Sequence, residues 1–333
     1  MSARRATRDD VARLAKTSTA VVSYVINNGP RQVSDERRRR VLAAMAALDY
    51  YPNAHARSLA ATETRTIGMI VPNISNAYFS ELALAVEDVA VADGRLLFLG
   101  NSSEDSEREI AYLQSFIQQR VDGILIVGVA QTSTITTARR AGIPVVIVDR
   151  ELGEPDLTTV SIDHREAGRR ATHHLVEHGY ESIACVVGPE ELPVAEQRLQ
   201  GWTDALSAAG QEPGVVVRTP FSIDGGRAAF AQLLDAGKLP RAAFVATDDQ
   251  ARGMIAAAHD ARLSVPDDLA IVSIDGTREG AQGSPSLTAV RQPYRRLAEA
   301  ALGALRDTDT DGSPRHVYVD ADLVVGRSCG CRP

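Results

Sequence analysis

Short polar side chains stand where apolar runs of the sequence end, in the part of the chain beyond residue 66. They are carboxylates, amides and one hydroxyl: Asn73, Asn101, Asp149, Thr247, Asp248, Asp249 and Asp275. Aromatic rings and a guanidinium group accompany them, at Tyr78, Phe79, Phe221 and Arg198. Such polar groups hydrogen-bond vicinal hydroxyls, and aromatic faces stack on a ring-shaped ligand. These residue types therefore indicate a site for a sugar or a nucleoside.

Two of the carboxylates, Asp149 and Asp275, could instead act as the acid and base of a glycosidase. No other catalytic pattern accompanies them, since the sequence has no GxGxxG, P-loop, HExxH or GxSxG motif. A hydrolase would also not explain the excess of basic side chains in residues 1–60, which is described below. We therefore expect a binding protein and not an enzyme.

Histidines and cysteines are the remaining residues that could do chemistry. His173, His174 and His178 fall on a helical stretch, without a cluster of carboxylates or cysteines around them. Cys329 and Cys331 lack the second pair of ligands that a zinc site needs. We expect surface histidines and reduced thiols, with no metal and no cofactor.

The charge of the chain is unevenly distributed. The 333 residues include 36 basic and 43 acidic side chains, a net charge of −7. Residues 1–60 alone carry eleven basic and five acidic side chains, or +6, which leaves −13 on the other 273 residues. A basic head on an acidic body favours a nucleic-acid-binding segment, although a solvated basic surface is an alternative.

The sequence also bears on the compartment. It contains three cysteines, as expected in a reducing cytosol. It has no run of eighteen apolar residues that could span a membrane and no apolar core of a signal peptide near Met1. We expect a cytoplasmic protein without a membrane partner.

Three short helices are predicted within residues 7–49. Thr7 and Asp10 have the spacing of a capping box, and Val11 and Leu14 fall on one apolar face. Two helices with a short break between them, braced by a third, describe a helix-turn-helix. The second helix then places side chains for base and phosphate contacts at Ser18, Thr19, Ala20, Ser23, Tyr24, Asn27 and Arg31. Most of Arg37–Arg40 should be solvated, because four consecutive residues surround a helix.

Continuous apolar runs alternate with helical patterns in the rest of the chain. The runs are 67–71, 96–99, 124–127, 145–148, 183–187, 242–245 and 269–272, and the helical patterns are 77–93, 106–119, 165–178, 194–209, 225–235 and 249–261. Such alternation predicts α/β architecture with parallel strands covered on both faces. About 270 residues exceed one such sheet, so two lobes are expected.

Several of these segments together resemble the LacI/GalR family of transcriptional regulators. The matching segments are Val11–Ala15, Val22–Asn27, Val33–Ser34, Arg40–Leu42, Tyr51–Leu59 and Ile67–Phe79. The resemblance extends over essentially the whole chain. It implies a helix-turn-helix head in residues 1–50, a hinge in 51–63 and a two-lobed periplasmic-binding-protein-like core in 64–333.

The resemblance also implies roles for individual residues. A hinge helix within 53–60 would form only on operator DNA, where Leu59 would wedge into the central base step. Asn53, Ala56 and Arg57 would line the same minor groove. The effector contacts implied are Tyr78, Phe79, Asp149, Arg198, Phe221, Thr247 and Asp275. Thr247 stands where the family often has Asn.

The turn of the head departs from the family pattern. Lys16-Thr17 replaces the usual Gly-Val, and a left-handed lysine costs about 1 kcal/mol relative to glycine. Tyr24 replaces a common arginine and cannot make a bidentate contact with guanine. The operator half-site therefore should differ from the commonest sequence of the family.

These observations predict a transcription factor, and specifically a repressor that acts as a homodimer on a palindromic operator. A sugar or nucleoside bound between the lobes would control it. A solute-binding receptor with a similar core is the alternative, but it leaves the basic head unexplained.

Overall fold

A computed structural model describes residues 6–27, 33–51, 64–128, 132–149, 157–237, 239–307 and 315–331. The chain divides into two compact units, Met1–Thr64 and Arg65–Pro333. Among the described residues, each helix is too short or too polar to cross a bilayer.

The first unit contains the three predicted helices, α1 Arg8–Leu14, α2 Thr19–Asn27 and α3 Asp35–Ala47. The capping box at the start of α1 is present, because Thr7 Oγ1 accepts from the Asp10 amide and the Asp10 carboxylate accepts from the Thr7 amide. Val11, Val22 and Val41 are fully buried where the helices meet. The prediction for Leu14 is wrong, since 52% of this residue is exposed.

The second unit is built from strands and helices in alternation, as predicted. Its described strands are β1 Thr66–Val71, β2 Leu96–Asn101, β3 Gly123–Ile126, β4 Val145–Val148, β5 Thr158–Ser161, β6 Ile183–Val187, β7 Val216–Arg218, β8 Ala242–Val245, β9 Ala270–Asp275, β10 Thr288–Arg291, β11 His316–Tyr318 and β12 Asp322–Val324. Its described helices are α4 Ala77–Ala92, α5 Ser106–Gln119, α6 Thr132–Arg140, α7 His164–Glu177, α8 Pro193–Ala208, α9 Ile223–Asp235, α10 Asp248–Asp260, α11 Arg278–Gln282 and α12 Tyr294–Asp307.

Two six-stranded sheets form the centres of two lobes. The order is β11-β5-β4-β3-β1-β2 in the first sheet and β12-β10-β9-β8-β6-β7 in the second. The strand pairs are parallel except for β10 with β12, which is antiparallel. This confirms the predicted α/β fold with parallel sheets.

The strand predictions fail at one edge strand and at several short strands. Strand β2 was expected to be covered on both faces, but it is an edge strand, and Leu96, Phe98 and Leu99 are 62%, 40% and 38% exposed. The apolar-run pattern also misses β5, β7, β10 and β11. These strands have four residues or fewer, and each of them contains polar residues.

Within the described chain, three segments pass from one lobe to the other, at residues 162–163, 292–293 and 319–321. Helix α7 follows β5 of the first sheet but packs on β8, β9 and β10 of the second. Helix α12 follows β10 but packs on β4, β5 and α4 of the first lobe. Relative motion of the lobes must therefore take place in these short segments.

Helices α7 and α8 approach each other backbone to backbone. A Cβ atom on Gly168 would lie 2.4 Å from the carbonyl oxygen of Arg198, and one on Gly201 would lie 2.0 Å from that of Arg165. Only glycine permits this separation, and the contact fixes where α8 places the Arg198 side chain.

We expect Gly168→Ala to lower the Tm of the core in differential scanning calorimetry of the full chain. The added methyl group must displace the α8 backbone, and overpacking of this kind costs about 1–3 kcal/mol. Gly303→Ala on α12 is the matched control, because a Cβ atom there has no neighbour within 4 Å. Equal Tm values for the two variants would contradict this account of the helix contact.

Candidate functional site

A cavity of about 490 Å³ opens between the two lobes. The first lobe lines it with Pro72, Asn73, Asn76, Tyr78, Phe79, Ser103, Glu104 and Asp149, and the second with Pro189, Leu192, Val194, Arg198, Pro220, Phe221, Ser222, Thr247 and Asp275. All seven effector contacts that the family resemblance implies line this one cavity: Tyr78, Phe79, Asp149, Arg198, Phe221, Thr247 and Asp275. Its volume is within the range of about 300–1,000 Å³ that is usual for small-molecule sites.

Two of the three carboxylates that line the cavity, Asp149 and Asp275, come from the ends of central strands. Asp149 directly follows β4 with φ 69°, and Asp275 ends β9 with φ 117°. Non-glycine residues with positive φ are uncommon and concentrate at functional sites. The backbone of Asp275 is held by its carbonyl oxygen, which accepts from the Gln292 amide at 3.0 Å and the Tyr294 hydroxyl at 3.1 Å.

Arg198 is the buried cation of the cavity. Its Nη1 donates to the carbonyl oxygen of Ala246 at 2.7 Å, and its Nη2 lies 3.3 Å from His164 Nδ1. The same Nη2 is 4.0 Å from Asp275 Oδ1, and the guanidinium carbon is 5.8 Å from the centre of the Phe221 ring. These contacts hold the guanidinium group at the boundary between the lobes.

Three polar atoms of the cavity residues are buried without a hydrogen-bond partner among the described residues. They are Tyr78 Oη, Asp149 Oδ1 and Arg198 Nε. A buried polar atom without a partner costs about 1–3 kcal/mol. A ligand that carries several hydroxyl groups would satisfy both the donors and the acceptor, and the rings of Phe79 and Phe221 offer it apolar faces.

Burial changes the titration of these groups. It raises the pKa of Asp275 well above the usual range, although Arg198 opposes this change. It also raises the pKa of Tyr78, to which the nearby Asp149 carboxylate adds.

Not every polar residue at a strand end faces the cavity. Asp248 instead holds the turn after β9, accepting from Ser273 Oγ at 2.6 Å and from the Thr277 amide and hydroxyl at 2.7 Å each. Asp249 pairs with Arg252, and Asn101 accepts from the Ile74 amide.

Thr247 lines the cavity but also has a structural role. Its hydroxyl accepts from the Gln250 amide at 3.2 Å and so caps α10.

Sequence reasoning missed the residues that support the site from behind. His164 Nε2 lies 2.9 Å from the carbonyl oxygen of Asp149, and Gln292 Nε2 donates to Asp275 Oδ1 at 3.0 Å. Asn76 caps α4 by accepting from the Tyr78 amide at 2.9 Å. Only Asn76 had a local signal, since an amide at the start of an apolar helix is a common N-cap.

The expectation of isolated surface histidines is wrong. His174 and His178 lie beside Cys329 and Cys331, with the four ligand atoms within 4.8 Å of one another. About 150 residues separate the pairs, so no local spacing could reveal this cluster.

In the first unit, Ser18, Thr19 and Ala20 are exposed at the start of α2, and Ser18 Oγ accepts from the Val21 amide. Ser23 and Tyr24 are half-buried on the same helix, which Asn27 ends. Lys16 has φ 51°, so the left-handed turn predicted for it is present. The other predicted DNA contacts lie outside the described residues: Arg31, Asn53, Ala56, Arg57 and Leu59.

Comparison with known proteins agrees with this two-part construction. Residues 7–53 match the model of "Bacterial regulatory proteins, lacI family", and residues 172–329 match that of a "Periplasmic binding protein-like domain". The HTH-type transcriptional repressor CytR of Escherichia coli (strain K12) is 34% identical over 336 residues, covering 98% of this chain and 97% of that protein. The chain belongs to the LacI family.

Two solved structures of the family are similar over nearly the whole chain. The lac repressor dimer bound to operator and the anti-inducer ONPF has a TM-score of 0.85 at 26% identity, covering 98% of this chain and 99% of that one. The complex of the transcriptional regulator CelR with cellobiose has a TM-score of 0.71 at 30% identity, covering 97% and 100%. The protein is thus a DNA-binding transcriptional regulator and not an enzyme.

The raised pKa of Asp275 leads to a prediction about stability. A carboxyl group whose pKa is higher in the folded state binds more protons when folded, so its contribution to stability falls as pH rises above about 4. Relative to the wild type, Asp275→Asn should therefore become more stable as pH rises from 4 to 8, in urea unfolding of the full chain.

Asp204→Asn is the control of opposite sign. The hydrogen bond from Arg165 lowers the pKa of Asp204, so the contribution of this carboxylate to stability grows as pH rises to about 5 and is constant above that. Relative to the wild type, Asp204→Asn should therefore become less stable as pH rises from about 2 to 5 and should not change between 5 and 8. Parallel pH profiles for the two variants would show that burial does not govern Asp275.

Proposed function

We propose that this regulator is a repressor that binds a palindromic operator as a homodimer and responds to a sugar or a nucleoside in the cavity between its lobes. The observation that carries the effector proposal is the set of unpartnered buried atoms Tyr78 Oη, Asp149 Oδ1 and Arg198 Nε, beside the rings of Phe79 and Phe221. A polyhydroxylated ring has hydroxyl groups that can hydrogen-bond to these three atoms and faces that can stack on the two aromatic rings.

The DNA-binding part of the proposal is supported by α2. Its N-terminal residues Ser18, Thr19 and Ala20 are exposed, as a recognition helix requires. We assign base or phosphate contacts to them and to Ser23, Tyr24, Asn27 and Arg31. The proposal also keeps the hinge contacts of Asn53, Ala56, Arg57 and Leu59 with the minor groove. The net charge of +6 on residues 1–60 favours the phosphate backbone.

Exposed apolar side chains support the homodimer. Leu84 and Val91 of α4 are 58% and 54% exposed, and Leu99 on the same face of the neighbouring strand β2 is 38% exposed. Exposed apolar side chains close together on a regulator favour a protein contact, and we assign them to contact with a second copy of the chain. The lac repressor, which a solved structure describes as a dimer bound to operator, is a precedent for such a homodimer.

Control of the operator would then follow from the three segments that join the lobes. An effector that prefers one relative orientation of the lobes shifts the population toward it, by no more than its difference in affinity for the two orientations. In a dimer, that orientation sets the separation of the two heads and so their fit to two half-sites.

The effector can be found by a thermal-shift screen of the full chain against monosaccharides, disaccharides and nucleosides. A ligand at 100 times its Kd should add about 2.7 kcal/mol to the free energy of unfolding. Arg198→Met should weaken binding of that ligand at least about tenfold, because it removes charge-assisted hydrogen bonds, and should leave operator binding intact.

The control for this variant is Arg227→Met, since Arg227 is an exposed arginine that pairs with Asp260 and does not line the cavity. A panel without a single stabilising compound would contradict the proposed effector class. Equal affinities of the two arginine variants would show that the ligand binds elsewhere.

The hinge is tested on an operator selected from a random palindromic library. Leu59→Ala should weaken specific binding by on the order of 2 kcal/mol, about thirtyfold, because a leucine side chain loses its burial between bases. Binding to a scrambled duplex should change little, as measured by fluorescence anisotropy.

Leu42→Ala serves as the comparison, because Leu42 is half exposed on α3. If Leu59→Ala lost the same affinity for operator and for scrambled DNA, the proposed insertion of Leu59 between base pairs would be wrong.

A further inference from the structure

The C-terminal segment brings two cysteines against the end of α7. His174 is in the last turn of this helix, and His178 is its C-cap, one turn further along the same face. Cys329 and Cys331 follow β12 and lie beside these rings, with Gly330 between them at φ 93°. One nitrogen from each histidine and one sulfur from each cysteine all lie within 4.8 Å of one another.

The separations match a tetrahedral metal centre. His174 Nε2 lies 3.3 Å from Cys329 Sγ and 3.6 Å from Cys331 Sγ, and His178 Nε2 lies 3.1 Å from Cys331 Sγ. Zinc bonds of about 2.3 Å to sulfur and 2.0 Å to nitrogen, at tetrahedral angles, place a nitrogen and a sulfur about 3.5 Å apart. Only small adjustments of the side chains are needed to receive an ion.

We propose that His174, His178, Cys329 and Cys331 form a binding site for a zinc-like divalent transition metal. Two imidazole nitrogens and two thiolates are the donor set of structural zinc sites, and they leave no position for a substrate.

The surroundings of Cys329 favour the thiolate that a metal requires. Thr288 Oγ1 donates to Cys329 Sγ at 3.0 Å. A hydroxyl that holds a ligand sulfur from behind is typical of the outer shell of a metal site.

The position of the cluster indicates a structural role. The preceding residue, Ser328, bonds both backbone groups of Ile271 near the start of β9, whereas Asp275 at the other end of β9 lines the cavity. The metal would therefore sit at the far end of the second sheet and not contact the effector. It would link the C-terminal segment to α7, in addition to the three-residue antiparallel pairing of β12 and the hydrogen bonds of Ser328.

The test uses the full chain, purified under reducing conditions without a histidine tag. We expect one equivalent of zinc per chain by inductively coupled plasma mass spectrometry. Titration of metal-free protein with Co²⁺ should give the d–d bands of a tetrahedral site and a thiolate-to-cobalt charge-transfer band. Added Zn²⁺ should displace the cobalt and raise the Tm.

His178→Ala and Cys331→Ser should each weaken Co²⁺ binding at least about tenfold and abolish the rise in Tm with Zn²⁺. Both residues are at least partly exposed, so the variants keep the fold. His173→Ala is the matched control, because His173 is on the same helix but faces Glu177 and is outside the cluster.

Four results would overturn the proposal. They are fully reduced protein that binds neither ion, a cobalt spectrum without the charge-transfer band, an equal loss of affinity in His173→Ala, and a Cys329–Cys331 disulfide that persists under the reducing conditions.

Discussion

The burial of the Arg198 guanidinium is the constraint on which the cavity between the lobes depends. An ion taken out of water must be compensated by fixed partners. The partners come from three directions: the Ala246 carbonyl oxygen of the second lobe, His164 at the start of α7 and Asp275 at the end of β9. The close contact of α7 with α8 through Gly168 and Gly201 keeps these partners in reach.

These partners do not satisfy every buried polar atom of the cavity, so some atoms are left to bind a ligand. Arg198 Nε, Asp149 Oδ1 and Tyr78 Oη remain without partners among the described residues, and Asp149 and Tyr78 belong to the opposite lobe. A ligand that satisfies atoms of both lobes stabilises one relative orientation of them. The groups that would bind an effector would thus also couple its binding to the relative orientation of the lobes.

The two ends of the second sheet have different chemistry. At the carboxyl ends of the parallel strands, Asp275 and Thr247 line the cavity between the lobes. At the opposite end, Ser328 fixes the C-terminal segment to β9, and the proposed metal site would fix it to α7. With the C-terminal segment fixed at one end of the second sheet, a ligand at the other end could change the orientation of the lobes without unfolding the lobe.

The sequence by itself determined the alternation of elements, the cap at Thr7 and the position of Asp149 and Asp275 at strand ends. Period and capping are local properties, and an apolar run that stops at a polar residue marks a strand end. The two carboxylates belong to different sheets, so only the packing of the lobes brings them to one cavity. Tertiary structure alone decided which elements are covered, so Leu14 and Phe98 are exposed despite their apolar patterns. It alone decided that Asp248 bonds Thr277 rather than lining the cavity, and that His174 meets Cys329. Such contacts join residues that are distant in sequence, and they arise from the packing of whole elements, which no local pattern records.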